Sequence, residues 1–129
     1  MFEEYISELE VEHNLEMLLP KLQEMINEYY GRSSSGQVVL SKDFLSESRP
    51  PVIIKKKGRV YWKLILEYQN DYDGASRSVY GFVRRSDGAI LKAASWQKPE
   101  TRTKGAIRGY VTDEFAQDYF NASGVIYDV

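Results

Sequence analysis

The stretch Arg59-Val-Tyr-Trp-Lys-Leu-Ile-Leu-Glu-Tyr68 decides the fold. Its side chains alternate. Val60, Trp62, Leu64, Leu66 and Tyr68 fall on one face, and Tyr61, Lys63, Ile65 and Glu67 on the other. A period of two marks a strand with one face on a core. Gly58 stands just before it, and Val52-Ile-Ile-Lys-Lys-Lys57 before that, which predicts a second strand joined by a tight turn. On the other side, residues 70–76 form a polar loop around Asp73-Gly74, and residues 77–84 return as a strand. Ser86-Asp87-Gly88 is a hairpin turn, with residues 89–92 as its return strand. Tight turns join antiparallel neighbours, so the sheet is mainly antiparallel.

Short pieces follow. Residues 101–109 have room for one helical turn. Thr112-Asp113-Glu114 opens a short helix through Phe120, with acids in its first turn, and residues 125–127 read as a last strand. Residues 37–40 are a further short strand candidate, and 46–51 a loop closed by two prolines.

The N-terminal segment has a different period. Phe2, Tyr5, Ile6 and Leu9 recur at helical spacing, as do Leu15, Leu18, Leu19, Leu22, Met25, Ile26 and Tyr29. The polar Glu12-His13-Asn14 predicts a break between two helices, with Asn14 as an N-cap. Pro20 marks either a kink or a first turn. Gly31 predicts the helix stop, and residues 32–36 a flexible linker. The expected class is therefore α+β: an N-terminal helical arm over 1–31, used for anchoring or oligomerisation, then a β-rich ligand-binding core over 32–129 with short C-terminal helices. An apolar stripe of this kind must pack on the sheet or on another copy of the chain, and a homo-oligomer is expected.

Composition narrows the chemistry. The 129 residues include no cysteine and one histidine, His13, which excludes disulfides, thiolate chemistry and multi-histidine metal sites. No apolar run reaches the roughly 18 residues of a membrane helix. The acidic start predicts no signal peptide and a cytoplasmic protein. No nucleotide-binding glycine loop and no Gly-x-Ser-x-Gly elbow is present. Asp71 and Asp73 read as turn residues. Binding without catalysis, metal or cofactor is the expectation. The net charge of −2 is unevenly spread: residues 1–31 carry −7, residues 55–108 carry +8, and residues 109–129 carry −4. A basic middle in an acidic frame suits an anionic ligand. Within it, Lys55-Lys56-Lys57 reads as a solvated edge that deters strand pairing.

The densest chemistry lies in residues 77–108. Phe82 and Trp96 offer faces for a flat ring. Ala93, Ala94 and Ser95 let a ligand approach the backbone. Lys92, Lys104 and Arg108 offer charge for phosphates. Together they suit a nucleotide. Tyr80-Gly81-Phe82-Val83 also echoes an RNA-binding strand, with Tyr80 and Phe82 on one face, so single-stranded nucleic acid is the alternative partner.

Ser78, Val79, Phe82, Val83, Gly88, Lys92, Ala94, Trp96, Pro99, Arg108 and Gly109 match a motif of small tailed-phage proteins. The match spans residues 77–111. Two features depart from it: the run from Pro99 to Arg108 is longer, and Tyr110 stands where asparagine is common. The overall layout resembles the Thoeris anti-defence sponge proteins. That resemblance implies an oligomer in an infected bacterial cell that sequesters cyclic ADP-ribose-type signals without cleaving them. It implies that Phe82 stacks on adenine, that Arg108 holds phosphate, and that residues 92–95 line the pocket. Lys104 falls in the lengthened stretch.

Overall fold

The computed structural model describes residues 2–35, 50–68, 76–101 and 106–126, with side chains of the N-terminal helix from Glu8 to Tyr30. The order is α1 (Phe2–Ser35), β1 (Val52–Lys57), β2 (Tyr61–Tyr68), β3 (Ser76–Arg84), β4 (Ala89–Leu91) and β5 (Ile107–Tyr110). A single 3-10 turn, Ala116–Tyr119, leads into the two-residue strands β6 (Phe120–Asn121) and β7 (Gly124–Val125). Strands β1 to β5 form one antiparallel meander in chain order. The class is α+β.

Helix α1 covers one face of this sheet. Val11, Leu15, Leu18, Leu22 and Ile26 recur every three or four residues and pack with Ile53, Trp62, Leu64, Leu66 and Ile90 in one core. The alternation of β2 is thus observed, with Trp62, Leu64 and Leu66 inward; Val60 lies in the preceding turn and is exposed.

Four expectations change. First, α1 is one helix, not two. Asn14 caps nothing; its amide donates to the carbonyl of Glu10, one turn back, at 2.8 Å. Pro20 lies inside the helix on an exposed face, and the helix runs past Gly31 to Ser35. Local breakers cost only about 1 kcal/mol for glycine and about 3 for proline. The continuous stripe on the sheet outweighs them. Second, residues 107–110 are strand, paired with β4, rather than a helical turn. Third, the helix expected through Phe120 shrinks to the 3-10 turn. The Asp113 carboxylate accepts from the Tyr110 amide at 3.0 Å and the Tyr119 hydroxyl at 2.7 Å, so it is spent away from a helix N-terminus. Fourth, β3 carries a bulge. Leu64 pairs with Gly81 and Ile65 with Val79, which leaves Tyr80 as an inserted residue. Tyr80 therefore joins the core under α1, stacked on Phe120 at 5.5 Å, while Phe82 joins a second cluster with Ala89 and Leu91. The two aromatics do not share a face.

The strand expected at 37–40 and most of the loop at 70–76 lie outside the described residues. The last strand ends at Val125, and Tyr127 lies outside them as well.

Candidate functional site

The turn between β1 and β2 builds the site. The Gly58 amide donates to the carbonyl of Tyr61 at 2.9 Å, and a Cβ on Gly58 would lie 2.8 Å from that oxygen. Arg85 clamps the turn from the neighbouring hairpin. Its guanidinium donates to the carbonyls of Gly58 (3.0 Å) and Arg59 (2.9 Å), and its own amide donates to that of Val60. Glu8 of α1 holds the same guanidinium at 3.1 Å. The helix therefore fixes the turn through one arginine.

Strand register then sets the side chains. Lys56 stands across from Lys63, Lys63 across from Phe82, and Phe82 across from Leu91. This row crosses the sheet on the face that α1 leaves uncovered. Beside it lies a cavity of about 370 Å³, lined by Lys56, Lys57, Arg59, Tyr61, Lys63, Phe82 and Gln97, with Gly58 and Val60. The volume falls within the range of small-ligand sites.

No carboxylate among the described residues lines this cavity. Among the described residues, its four cations make no ion pair. Their neighbours Lys55, Arg77, Arg84 and Arg85 do, with Glu16, Glu67, Asp87 and Glu8. Like charges directly across a sheet repel. Burial, and then Lys56, hold the Lys63 ammonium below the usual lysine range. The Lys63 ammonium also lies 4.3 Å from the centre of the Trp96 ring, a cation–π contact.

Phe82 lines the cavity but is 3% exposed, with the Tyr61 ring edge-on at 5.9 Å. It forms a wall rather than an open stacking face. Ala93 packs against the Phe82 cluster. The Lys92 side chain is half-buried, and its carbonyl accepts from Glu100 at 2.7 Å. Ala94 and Ser95 are exposed and shape a tight turn: both amides donate to the Lys98 carbonyl, at 2.9 and 3.1 Å. Trp96 is exposed at the tip of that turn. Arg108 is the inserted residue of a bulge in β5, between Ile107 and Gly109, and its Nε is buried without a hydrogen-bond partner. Lys92, Trp96 and Arg108 are not in the cavity wall. Lys104 lies outside the described residues.

A family model matches residues 3–127. The chain belongs to DUF7717, a family of unknown function. No curated protein and no solved structure matches it.

In this member of DUF7717, Phe82 is the one described residue singled out in the sequence for ligand binding that lines the cavity, and Lys56, Lys57, Arg59 and Lys63 are not singled out there as ligand-binding residues. A signal was present. A hairpin turned at Gly58 brings Lys56 opposite Lys63, and like charges directly opposite repel. Among the described residues, no helix is long and apolar enough to cross a membrane, and no group of three metal-binding side chains comes together.

Proposed function

We propose that the cavity at the β1–β2 turn captures a phosphate-bearing nucleotide and that the protein holds this ligand without cleaving it. One observation carries the reading. Lys56 and Lys63 are opposed across the sheet with Arg59 at the turn and Lys57 reaching the edge from the α1 side, and among the described residues no carboxylate lines the wall. Such a cluster is relieved by an anion, and hydrogen bonds to charged groups in a partly closed site contribute about 1.5–3 kcal/mol each. Aromatic walls from Tyr61 and Phe82 exclude water and strengthen those contacts.

The resemblance of the overall layout to the Thoeris sponge proteins suggests the particular ligand, a cyclic ADP-ribose isomer, whose pyrophosphate suits several cations. In this reading the protein is a phage sponge that removes an immune signal in the host cell. The same resemblance extends the proposal to a homo-oligomer, which light scattering on the purified protein tests.

Calorimetric titration with cyclic ADP-ribose and its glycosidic-bond isomers tests the function. The expected result is tight, saturable binding of one isomer, recovered unchanged after the protein is heated. Lys63→Ala and Arg59→Ala should each weaken binding by about tenfold or more. Cleavage of the ligand, or unaltered binding by both variants, would overturn the reading. A short single-stranded oligonucleotide serves as comparator. Binding of it alone, with steep salt dependence, would assign the cations to single-stranded nucleic acid instead.

A further inference from the structure

We infer that Trp96 is the residue that reads the flat ring of the ligand, so that the site distinguishes a nucleotide from a bare pyrophosphate. This rests on the cavity at the β1–β2 turn being the phosphate site. Trp96 sits at the tip of a turn locked at its base. Ala93 bridges to Pro99, the Ala94 and Ser95 amides share the Lys98 carbonyl, and the Ser95 hydroxyl accepts from the Gln97 and Lys98 amides at 3.3 Å each. This turn holds an indole 42% exposed, whereas Trp62 is 6% exposed in the core. Two contacts tie the indole to the cavity: Lys63 places its ammonium 4.3 Å from the ring, and Gln97, the next residue, lines the wall. Phe82 and Tyr61 already pack edge to face on each other. Among the described aromatics beside the phosphate site, Trp96 is the exposed one, with Lys63 over its ring and the rest of the indole surface open. A phosphate at Lys63 and a base on the indole lie within the span of one nucleotide.

The test titrates intact wild type, Trp96→Ala and Trp96→Phe with cyclic ADP-ribose, ADP and inorganic pyrophosphate, reading heat and tryptophan fluorescence. Wild type should prefer the better ring-bearing ligand to pyrophosphate by about tenfold or more, the scale of one base–aromatic stack. That ligand should change the fluorescence more than pyrophosphate does, since pyrophosphate reaches the indole only through the Lys63 ammonium. Trp96→Ala should lose both the preference and the signal while keeping its pyrophosphate affinity, and Trp96→Phe should restore most of the preference. A Trp96→Ala protein that still prefers the ring-bearing ligand overturns the inference and leaves the phosphate site standing. Wild type that binds none of the three overturns both.

Discussion

Gln23 of α1 pairs with the backbone on both sides of Val52 as a neighbouring strand would, at the edge of the described sheet. Its side-chain oxygen accepts the Ile53 amide at 2.9 Å, and its side-chain nitrogen donates to the Pro51 carbonyl at 2.9 Å. Strand β1 is the edge of the sheet, and an open edge invites another chain to pair. The helix closes the start of that edge with one amide.

Gln23→Ala should therefore cost about 1–3 kcal/mol, because it leaves a part-buried amide and carbonyl unpaired. Gln23→Glu, which keeps an acceptor but loses the donor, should cost less. Urea denaturation checks both. A midpoint unchanged in Gln23→Ala would show that water replaces the side chain.

The β3–β4 turn depends on a backbone shape as well as on the Asp87 contacts. Gly88 has φ +82°, a left-handed conformation, and a Cβ there would meet Val111 at 2.8 Å and Val11 of α1 at 3.3 Å. Gly88→Ala should destabilise the fold by about 1–3 kcal/mol through strain, with the crowding at Val11 and Val111 adding to it. Thermal unfolding reads the effect; a melting temperature equal to wild type would contradict it.

Tyr80 links stability to alkaline pH. Its hydroxyl donates to the Asn121 carbonyl beneath α1, and burial raises its pKa well above the ordinary tyrosine value. In the unfolded chain the phenol ionises near its ordinary pKa of about 10, while the folded protein keeps the proton. The unfolded state then binds fewer protons, so stability is full below about pH 10 and falls above it. Tyr80→Phe should lose about 1 kcal/mol at neutral pH by breaking the hydrogen bond. It should also lose stability less steeply above pH 10. Tyr30 and Tyr119, whose pKa values are also raised, retain part of the slope. Equal slopes in the two proteins would contradict this role.

The meander was legible because its signals are local. The alternation of β2 and the Ser86-Asp87-Gly88 turn both act within a few residues. Asp87 accepts the Ala89 amide at 3.0 Å and clasps Arg84 through both oxygens, so the turn chemistry is written where it is used. The bulge at Tyr80 was not legible, since an inserted residue leaves the composition of a strand unchanged. The Lys55-Lys56-Lys57 run was half legible. Lys55 does face α1 and pairs with Glu16, as a strand-edge lysine should. Lys56 faces the other side and lines the cavity, while Lys57, paired with Trp62, reaches the cavity edge from the α1 side; both placements depend on pairing with β2. Phe82 and Trp96 both lie near charge, but their different exposures, set by the sheet and the turn, could not be read from the sequence.

Arg85 should act as a positioning residue. It clamps the carbonyls of Gly58 and Arg59 yet is absent from the cavity wall. Arg85→Ala should weaken nucleotide binding several-fold while leaving its salt dependence unchanged, because all four cavity cations remain. Lys63→Ala should instead lower the slope of log affinity against log salt by about one. Equal salt slopes in Lys63→Ala and wild type would contradict this division.

The location of the ligand is the central claim, and amide chemical shifts report it directly. Nitrogen-15 spectra of the intact protein would be followed during titration with cyclic ADP-ribose isomers. The largest shifts should cluster at residues 56–63, Phe82 and residues 95–98. Shifts centred on Lys92 and Arg108, or on the outer face of α1, with residues 56–63 unmoved, would contradict it.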